Sequence, residues 1–171
     1  LRDIGQQVGF NVYWADGVQI DTDAPYTGAA PAQEISSQPT DVESREEVIR
    51  RINEARRKYG VSELTANQSL MDAAQECSAQ MFTSHHNRVE CETVAASGYP
   101  YGFGSNLTVF TAGSASGIAQ RAVSNWKNSP GHLRTMLDPD CDSIGVGITV
   151  NGGRTYCYMF VGNPTANNPY A

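Results

Sequence analysis

The feature that most restricts the fold is a pair of strand-like segments near the end of the chain. From Ile144 to Val150, every second residue is a branched aliphatic, with Gly or Thr between. Residues 151–153 read Asn-Gly-Gly, which is typical of a tight hairpin turn. A second apolar segment follows over residues 155–161. Because an isolated two-stranded hairpin is marginal in water, other elements must cover it.

The segments before the hairpin have helical periodicity. The first helix carries an S-x-x-E capping pattern at Ser44 and Glu47, and Val48, Ile52, Ala55 and Tyr59 share one face. Further helices are predicted at about 67–84, 114–128 and 130–137, with a short strand at 106–110 and a loop at 88–104. Helices before and between a few strands predict an α+β fold, with a small antiparallel sheet sandwiched between helices.

Composition divides the chain into four parts. Residues 1–29 read as a short helix and two strands, with Val12 and Trp14 on the first strand and Val18 and Ile20 on the second. Residues 30–42 are rich in Pro, Ser, Thr and Gln, which is typical of a linker. The main domain is predicted over 43–163, and residues 164–171 form a C-terminal tail.

Charge and hydropathy exclude several classes of partner. The formal net charge of the 171 residues is −6, which disfavours nucleic acid and anionic membranes because both favour basic patches. No apolar run approaches the roughly 20 residues that a membrane-spanning helix needs. We therefore expect no nucleic-acid partner and no membrane span.

The four cysteines are Cys77, Cys91, Cys141 and Cys157, and none forms a C-x-x-C pair. This spacing argues against zinc-ribbon and thioredoxin-like sites. Three disulfide pairings are possible, and free thiols are equally compatible. A simple hairpin places Cys157 opposite roughly Gly147, so a bond between Cys141 and Cys157 is not expected.

Two histidines are candidates for a functional site because each lies at the end of a predicted helix. His132 follows Pro130 and Gly131 on the first turn of the last helix. The partial positive charge of a helix N-terminus lowers a histidine pKa, so a neutral imidazole there can accept a proton or bind a metal. His85 lies at the C-terminal end of the second helix. We expect the two histidines to converge on one cleft.

Several short motifs, in their order, resemble the CAP superfamily of cysteine-rich secretory proteins, venom antigens and pathogenesis-related proteins, especially its short bacterial members. The resemblance covers about residues 43–163 and implies an α-β-α sandwich with a surface cleft. It rests on these segments: Asn53-x-x-Arg56, Leu64, Leu70, Ala73-Ala74, Ser84-His85, Gly104-Ser105-Asn106-Leu107, Trp126 to His132 (W-K-N-S-P-G-H) and Ile144-Gly145-Val146-Gly147.

This sequence departs from the cleft that the resemblance implies, which usually holds two histidines and two glutamates. His85 and His132 carry over by position, with His86 as an alternative to His85. Ser105 stands at the first glutamate of the family's G-E-N motif, and Ser129 stands where many eukaryotic members carry the second. The expected cleft residues are His85, His132, Ser105, Asn106 and Ser129.

The missing carboxylates bear on metal binding. Zn²⁺ and Cu²⁺ usually need three or four ligands, and Ca²⁺ needs several oxygens. No cofactor is firmly implied, and a divalent metal such as Zn²⁺ at His85 and His132 is the candidate. Glu90 and Glu92 follow His85 in the predicted loop and are candidates to replace the carboxylates, although we favour solvated loop charges.

The first residues resemble the C-terminal part of the small extracellular domain named after the copper amine oxidase N-terminal domain. The similar segments are Leu1 to Ile4, Val12-x-Trp14, Ile20 to Thr22 and Pro25 to Thr27. That domain is a stalk without a catalytic centre. The resemblance therefore implies that residues 1–29 are a truncated remnant of a small α+β stalk-like domain, with no copper function.

Together these features predict a secreted or cell-surface module, whose signal peptide is not in this chain. The missing carboxylates favour binding without catalysis, and the ligand is an unknown lipid, glycan or peptide. Tyr99, Tyr101 and Phe103, in the glycine-rich loop, are candidates to line its groove.

Two alternatives stay open. The first is a hydrolase, either metal-dependent or with Ser105 or Ser129 as nucleophile, although the chain lacks a G-x-S-x-G turn. Cys77 with His85 is a thiol version of this hypothesis, although Cys77 lies on the apolar face of its helix. The second is a structural or adhesive surface protein with a vestigial cleft.

Overall fold

A short hairpin and a larger α+β unit make up the computed structural model, which describes residues 10–14, 18–25, 41–111 and 117–171. The chain divides into two units, Leu1–Gln38 and Pro39–Ala171. In the first, β1 (Phe10–Trp14) pairs antiparallel with β2 (Val18–Pro25). The two predicted strands are thus confirmed. The predicted helix before residue 10, the turn at 15–17 and most of the linker lie outside the described residues.

The second unit surrounds a four-stranded sheet with helices. Its described strands are β3 (Thr65–Ala66), β4 (Tyr101–Thr111), β5 (Ser143–Asn151) and β6 (Arg154–Asn167). Its described helices are α1 (Asp41–Lys58), α2 (Gln68–Ala79), α3 (Arg88–Ala96), α4 (Ile118–Lys127) and α5 (Pro130–Met136). The strand order is β3-β5-β6-β4.

Alternation along β6 gives the sheet two apolar faces. Cys157, Met159 and Val161 pack with residues of α1, α4 and α5, whereas Tyr158 and Phe160 pack with residues of α2 and α3. This arrangement confirms the predicted α-β-α sandwich. The sheet is mixed rather than purely antiparallel, because the two-residue strand β3 runs parallel to β5.

Two glycines of β5 allow α2 to lie directly on the sheet. A Cβ at Gly145 would come within 2.1 Å of the Leu70 carbonyl carbon, and one at Gly147 within 2.0 Å of the Ala74 carbonyl oxygen. The side-chain amide of Gln75 then bonds both backbone groups of Ile148, at 3.0 and 3.1 Å. The I-G-V-G motif therefore reflects helix–sheet packing.

The hairpin turn is tighter than the sequence predicted. Asn151 pairs with Arg154, and Gly152 and Gly153 between them have φ of +56° and +74°. Two loop residues instead of three shift the register by one, so Cys157 lies opposite Ile148 rather than Gly147. All four cysteines are free thiols, in agreement with the expectation that Cys141 and Cys157 do not pair.

The start of the first helix differs from the prediction. The helix begins at Asp41, so Ser44 is a buried residue inside it rather than its cap. Glu47 instead pairs with Arg50 and Arg51, at 2.7 Å each. Tyr59, predicted on the apolar face, is 58% exposed, because it follows the last helical residue.

The segment around His85 differs from its predicted structure more than the first helix does. The second helix was predicted to reach residue 84 but ends at Ala79, so His85 lies in the connection between α2 and α3. The predicted loop at 88–104 contains helix α3, whose first turn is capped by the Asn87 side chain accepting from the Glu90 N–H at 3.0 Å. A capping side chain makes a helix possible despite the glycines that follow.

A buried arginine fixes the α5–β5 connection beneath the site. Arg56 is 0% exposed, and its guanidinium donates to the carbonyls of Ser62, Met136, Asp138 and Cys141 at 2.6–3.2 Å. Four carbonyl acceptors compensate part of the cost of burying the charge. Burial lowers the pKa of Arg56 from its usual value.

Candidate functional site

The candidate cleft lies along β4, an edge strand of the sheet. Ser105 and Asn106 are consecutive on this strand, so their side chains leave opposite faces of the sheet. His85 approaches on the Ser105 side from the α2–α3 connection, and His132 approaches on the Asn106 side from α5. The two layers of the sandwich thus meet around the edge of the sheet.

The two predicted histidines are in direct contact. Their Nε2 atoms are 3.2 Å apart, and their ring centroids are 5.2 Å apart. Burial, followed by the neighbouring His86 and His132, lowers the pKa of His85 to about 4. The pKa of His132 is also lowered, as predicted, but burial and His86 are the causes here.

Ser105 lies at the centre of a buried hydrogen-bond network. Its hydroxyl, in a side chain 1% exposed, donates to Glu90 Oε2 at 2.9 Å. The hydroxyl oxygen of Ser105 also lies 3.1 Å from His85 Nδ1 and 3.2 Å from His86 Nδ1. Glu90 also accepts from the Tyr158 hydroxyl at 3.0 Å. Ser105 therefore connects a buried carboxylate to the histidines.

The network fixes the proton positions on His85. The single Ser105 proton is donated to Glu90, so the Ser105 oxygen can only accept from the ring nitrogens. His85 Nδ1 must then carry the donated proton, and in a neutral imidazole Nε2 is left with a free lone pair. That lone pair faces His132.

Glu90 corrects the expectation of a solvated loop charge. It is 1% exposed, because it lies on the inner face of α3 above Tyr158, and it accepts from the His86 N–H at 3.0 Å. Glu92 is exposed and pairs with Arg88 at 2.7 Å. The signal for a buried Glu90 was present in Asn87-x-x-Glu90, a capping spacing followed by Val94 on the same face.

The remaining predicted residues have different positions. The amide of Asn106 donates to the His132 carbonyl at 2.9 Å and thus holds α5 against β4. Ser129 precedes α5, makes no side-chain capping bond, and lines a cavity of about 430 Å³ together with His132 and His86. His86 is exposed and has a φ of +64°, a conformation that a side chain disfavours.

Several predicted groups lie away from the cleft. Tyr99 is buried and contacts the Ser143 hydroxyl at 3.2 Å, and with Tyr101 it lines a different cavity. Cys77 is 0% exposed, and burial, followed by nearby Glu90, raises the pKa of its thiol to about 12. Little thiolate exists there at neutral pH, which argues against a cysteine nucleophile.

The fit of a metal depends on the two histidine nitrogens. In the described ranges, no group of three or more His, Cys, Asp or Glu side chains is arranged to hold a metal ion. Two nitrogens bound to one Zn²⁺ at about 2.0–2.1 Å lie about 3.3 Å apart when the angle is tetrahedral. The observed 3.2 Å between His85 Nε2 and His132 Nε2 fits this value. The pair can therefore supply two ligands, and others must come from water or a bound molecule.

Comparisons with known proteins agree on the fold. The family model described as CAP, cysteine-rich secretory protein family, matches residues 49–163. No curated protein matches the chain.

An outer surface protein from Borrelia burgdorferi has a TM-score of 0.61 at 17% identity, covering 71% of this chain and 92% of that one. An extracellular SCP-domain protein from Bacillus anthracis str. Ames has a TM-score of 0.58 at 20% identity, covering 78% of this chain and 45% of that one. NaASP2, solved with Zn²⁺, has a TM-score of 0.57 at 12% identity, covering 82% of this chain and 88% of that one. None of the helices in the described ranges is long and apolar enough to span a bilayer.

Proposed function

The chain belongs to the cysteine-rich secretory protein (CAP) family, and we propose that it is an extracellular module that binds a ligand at the cleft of His85 and His132 without catalysis. Proteins of this family are typically extracellular, and one similar structure is an extracellular SCP-domain protein. A stalk-like character of residues 1–29, which we infer from their resemblance to an extracellular stalk domain, fits a surface-attached protein.

The observation that carries the proposal is the bonding of Ser105. A serine nucleophile must give its proton to a base and present its oxygen to the substrate. Ser105 Oγ gives its proton to Glu90 and is surrounded by two ring nitrogens, in a side chain 1% exposed. Ser129 makes no side-chain capping bond, and the Nε2 of His132, a histidine that lines the same cavity, lies 3.2 Å from His85 Nε2. Neither serine has the arrangement of an activated nucleophile.

Zn²⁺ is the metal that the histidine pair fits best. The 3.2 Å separation of the two Nε2 atoms suits a shared ion, and NaASP2 was solved with Zn²⁺. When bound, Zn²⁺ would attract an oxygen or nitrogen of the ligand into its open coordination positions. Ser105 and Glu90 would hold the His85 ring in the tautomer that binds it.

The proposal is tested by calorimetric titration with Zn²⁺, Cu²⁺ and Ca²⁺, in parallel with esterase and protease assays. We expect micromolar binding of Zn²⁺ or Cu²⁺ that both His85→Ala and His132→Ala abolish, no binding of Ca²⁺, and no hydrolysis. Ser124→Ala, which removes an exposed serine hydroxyl from α4 outside the cleft lining, is the matched control and should bind normally. Hydrolysis that disappears in His132→Ala would establish the enzymatic alternative instead. If the wild-type protein binds neither a metal nor a ligand, that result would support the alternative of a structural protein with a vestigial cleft.

A further inference from the structure

A second cavity of about 610 Å³ adjoins the histidine cleft. Its walls are the first half of α3, the start of β4, and residues 163–170 at the end of β6 and beyond. His86 and Asp138 line both this cavity and the smaller one at His132. Its volume is in the range of roughly 300–1,000 Å³ that small-molecule sites occupy. We call it the asparagine cavity, after Asn87, Asn163, Asn167 and Asn168.

The wall formed by the C-terminal residues is held firmly in place. Asn168 is 5% exposed, its amide donates to the Cys91 carbonyl at 3.0 Å, and its Oδ1 accepts from the Tyr170 N–H at 3.0 Å. The Asn168 N–H also reaches the Pro100 carbonyl at 3.3 Å. Because these bonds already exist, a ligand would not need to order the wall, and binding costs less conformational entropy.

The charged groups of this cavity are already engaged. Arg88, the one Arg or Lys among its described lining residues, pairs with Glu92 at 2.7 Å and lies 5.5 Å above the centroid of the Tyr170 ring. Glu90 is buried and bonded to Ser105 and Tyr158, and Asp138 Oδ1 accepts from the Asp140 N–H at 3.0 Å. An anionic ligand would therefore find no free cation in the described lining. This arrangement favours an uncharged ligand.

Amides and aromatic rings are the groups that remain for contact. The side-chain carbonyl oxygens of Asn87 and Asn163 accept hydrogen bonds from backbone N–H groups, which leaves their NH₂ groups as donors for a ligand. The Asn167 side chain is exposed. Phe103, packed edge-to-face on Phe160 at 5.1 Å, and Tyr170, 44% exposed, supply apolar ring surface. Lipids favour a wall that is apolar throughout, whereas polyhydroxyl rings use both amides and ring faces.

We propose that the asparagine cavity is a binding subsite for a short, uncharged saccharide, whose hydroxyl groups bond the asparagine amides and whose ring packs against the exposed ring of Tyr170. The inference rests on the proposed function, because it names the class of ligand for the same cleft. A saccharide in this cavity would reach His86 and, beyond it, the His85–His132 pair.

The test is ligand-observed NMR with gluco-, manno-, galacto- and N-acetylglucosamine oligosaccharides, followed by titration of ¹⁵N-labelled protein. We expect at least one saccharide to bind and to shift amide signals of residues 87–91 and 163–170. Tyr170→Ala should weaken that binding about tenfold, the loss of one aromatic contact. Tyr59→Ala, which removes another exposed tyrosine just after α1, is the matched control and should change nothing.

Three results would overturn the proposal: no binding of any of these saccharides at millimolar concentration, equal binding by Tyr170→Ala and wild type, or preference for palmitate or for a sulfated saccharide in the same cavity. Metal titration of the same samples separates this failure from that of the proposed function. Zn²⁺ binding without saccharide binding would refute only the subsite.

Discussion

Replacing Ser105 with alanine tests the hydrogen-bond network at the centre of the cleft. The substitution removes one oxygen that donates to Glu90 and accepts from His85 and His86. Alanine fits the same space, so the main change is the loss of these bonds. We expect His85 to lose its fixed tautomer, because Nδ1–H then has no acceptor and Nε2–H competes with it.

The magnitude follows from the bonds that are lost. The bond from Ser105 to the Glu90 carboxylate, at 2.9 Å, is worth about 1.5–3 kcal/mol, and the Nδ1 contacts of the more exposed histidine rings add less. We expect the free energy of unfolding to fall by about 2 kcal/mol. Losing the group that orients a metal-binding histidine typically weakens metal affinity about 10- to 100-fold. Zn²⁺ binding should fall by that factor, without being abolished.

Three assays measure these effects. Urea unfolding gives the stability, calorimetry gives the Zn²⁺ affinity, and ¹⁵N NMR of the imidazole nitrogens gives the His85 tautomer directly, without any ligand. Ser124→Ala is the matched control, because it removes an exposed serine hydroxyl from α4 that does not line the cleft. It should leave all three values unchanged.

The reasoning is refuted if Ser105→Ala retains the Nδ1–H tautomer of His85 and the affinity for Zn²⁺. That result would mean that Ser105 only fills space. Loss of stability with an unchanged tautomer would refute the positioning role alone. Recovery of the tautomer by Ser105→Thr, which restores the hydroxyl, is the expected positive outcome.

Three further predictions concern stability. The pKa of His85 is lowered from 6.5 to about 4, so as the pH falls the unfolded chain takes up this proton before the folded protein does. The free energy of unfolding should therefore fall by about 1–2 kcal/mol between pH 6.5 and 4. In urea titrations, His85→Gln should remove this pH dependence. Gly147→Ala should cost about 3 kcal/mol in thermal melts, because its Cβ would lie 2.0 Å from the Ala74 carbonyl oxygen of α2. Arg56→Lys should lower the free energy of unfolding by about 3–5 kcal/mol, because one ammonium group cannot replace a guanidinium that donates to four carbonyls. Arg57 is exposed, so the control Arg57→Lys should leave the urea midpoint unchanged.

The layers of the fold could be predicted because period-2 alternation in β5 and β6 and period-3.6 faces in the helices are local signals. The errors fall where tertiary contacts override these signals. Apolar spacing predicts that α2 continues through Ser84, but the helix ends at Ala79 with Gln80 as its C-cap. Nearby glycines predict a loop where α3 lies, although Asn87 caps the first turn of a helix there.

The candidate site could be predicted in part. His85, His132 and Ser105 were identified from motifs, and the structure brings them together within 3.2 Å. The sequence predicts a solvated Glu90, and no motif indicates Tyr158. The capping spacing at Asn87 was a local signal for Glu90 on the inner face of α3. Its partner Tyr158 has no such signal, because it meets Glu90 only after β6 and α3 pack on the same side of the sheet.

The serine at position 105 changes what the cleft can bind. A glutamate there would place a charge directly beside His85 and would favour a charged imidazole or a cation. Ser105 instead places a neutral hydroxyl in contact with His85. The Glu90 carboxylate lies on the far side of that hydroxyl and already accepts three hydrogen bonds, from the His86 N–H, Ser105 and Tyr158. Burial lowers the pKa of both His85 and His132, and a neutral Ser105 adds no negative charge that would raise it. A neutral cleft beside a cavity with no free cation in its described lining disfavours an anionic ligand, and Ser105→Glu should shift selectivity toward cations and raise the pKa of His85.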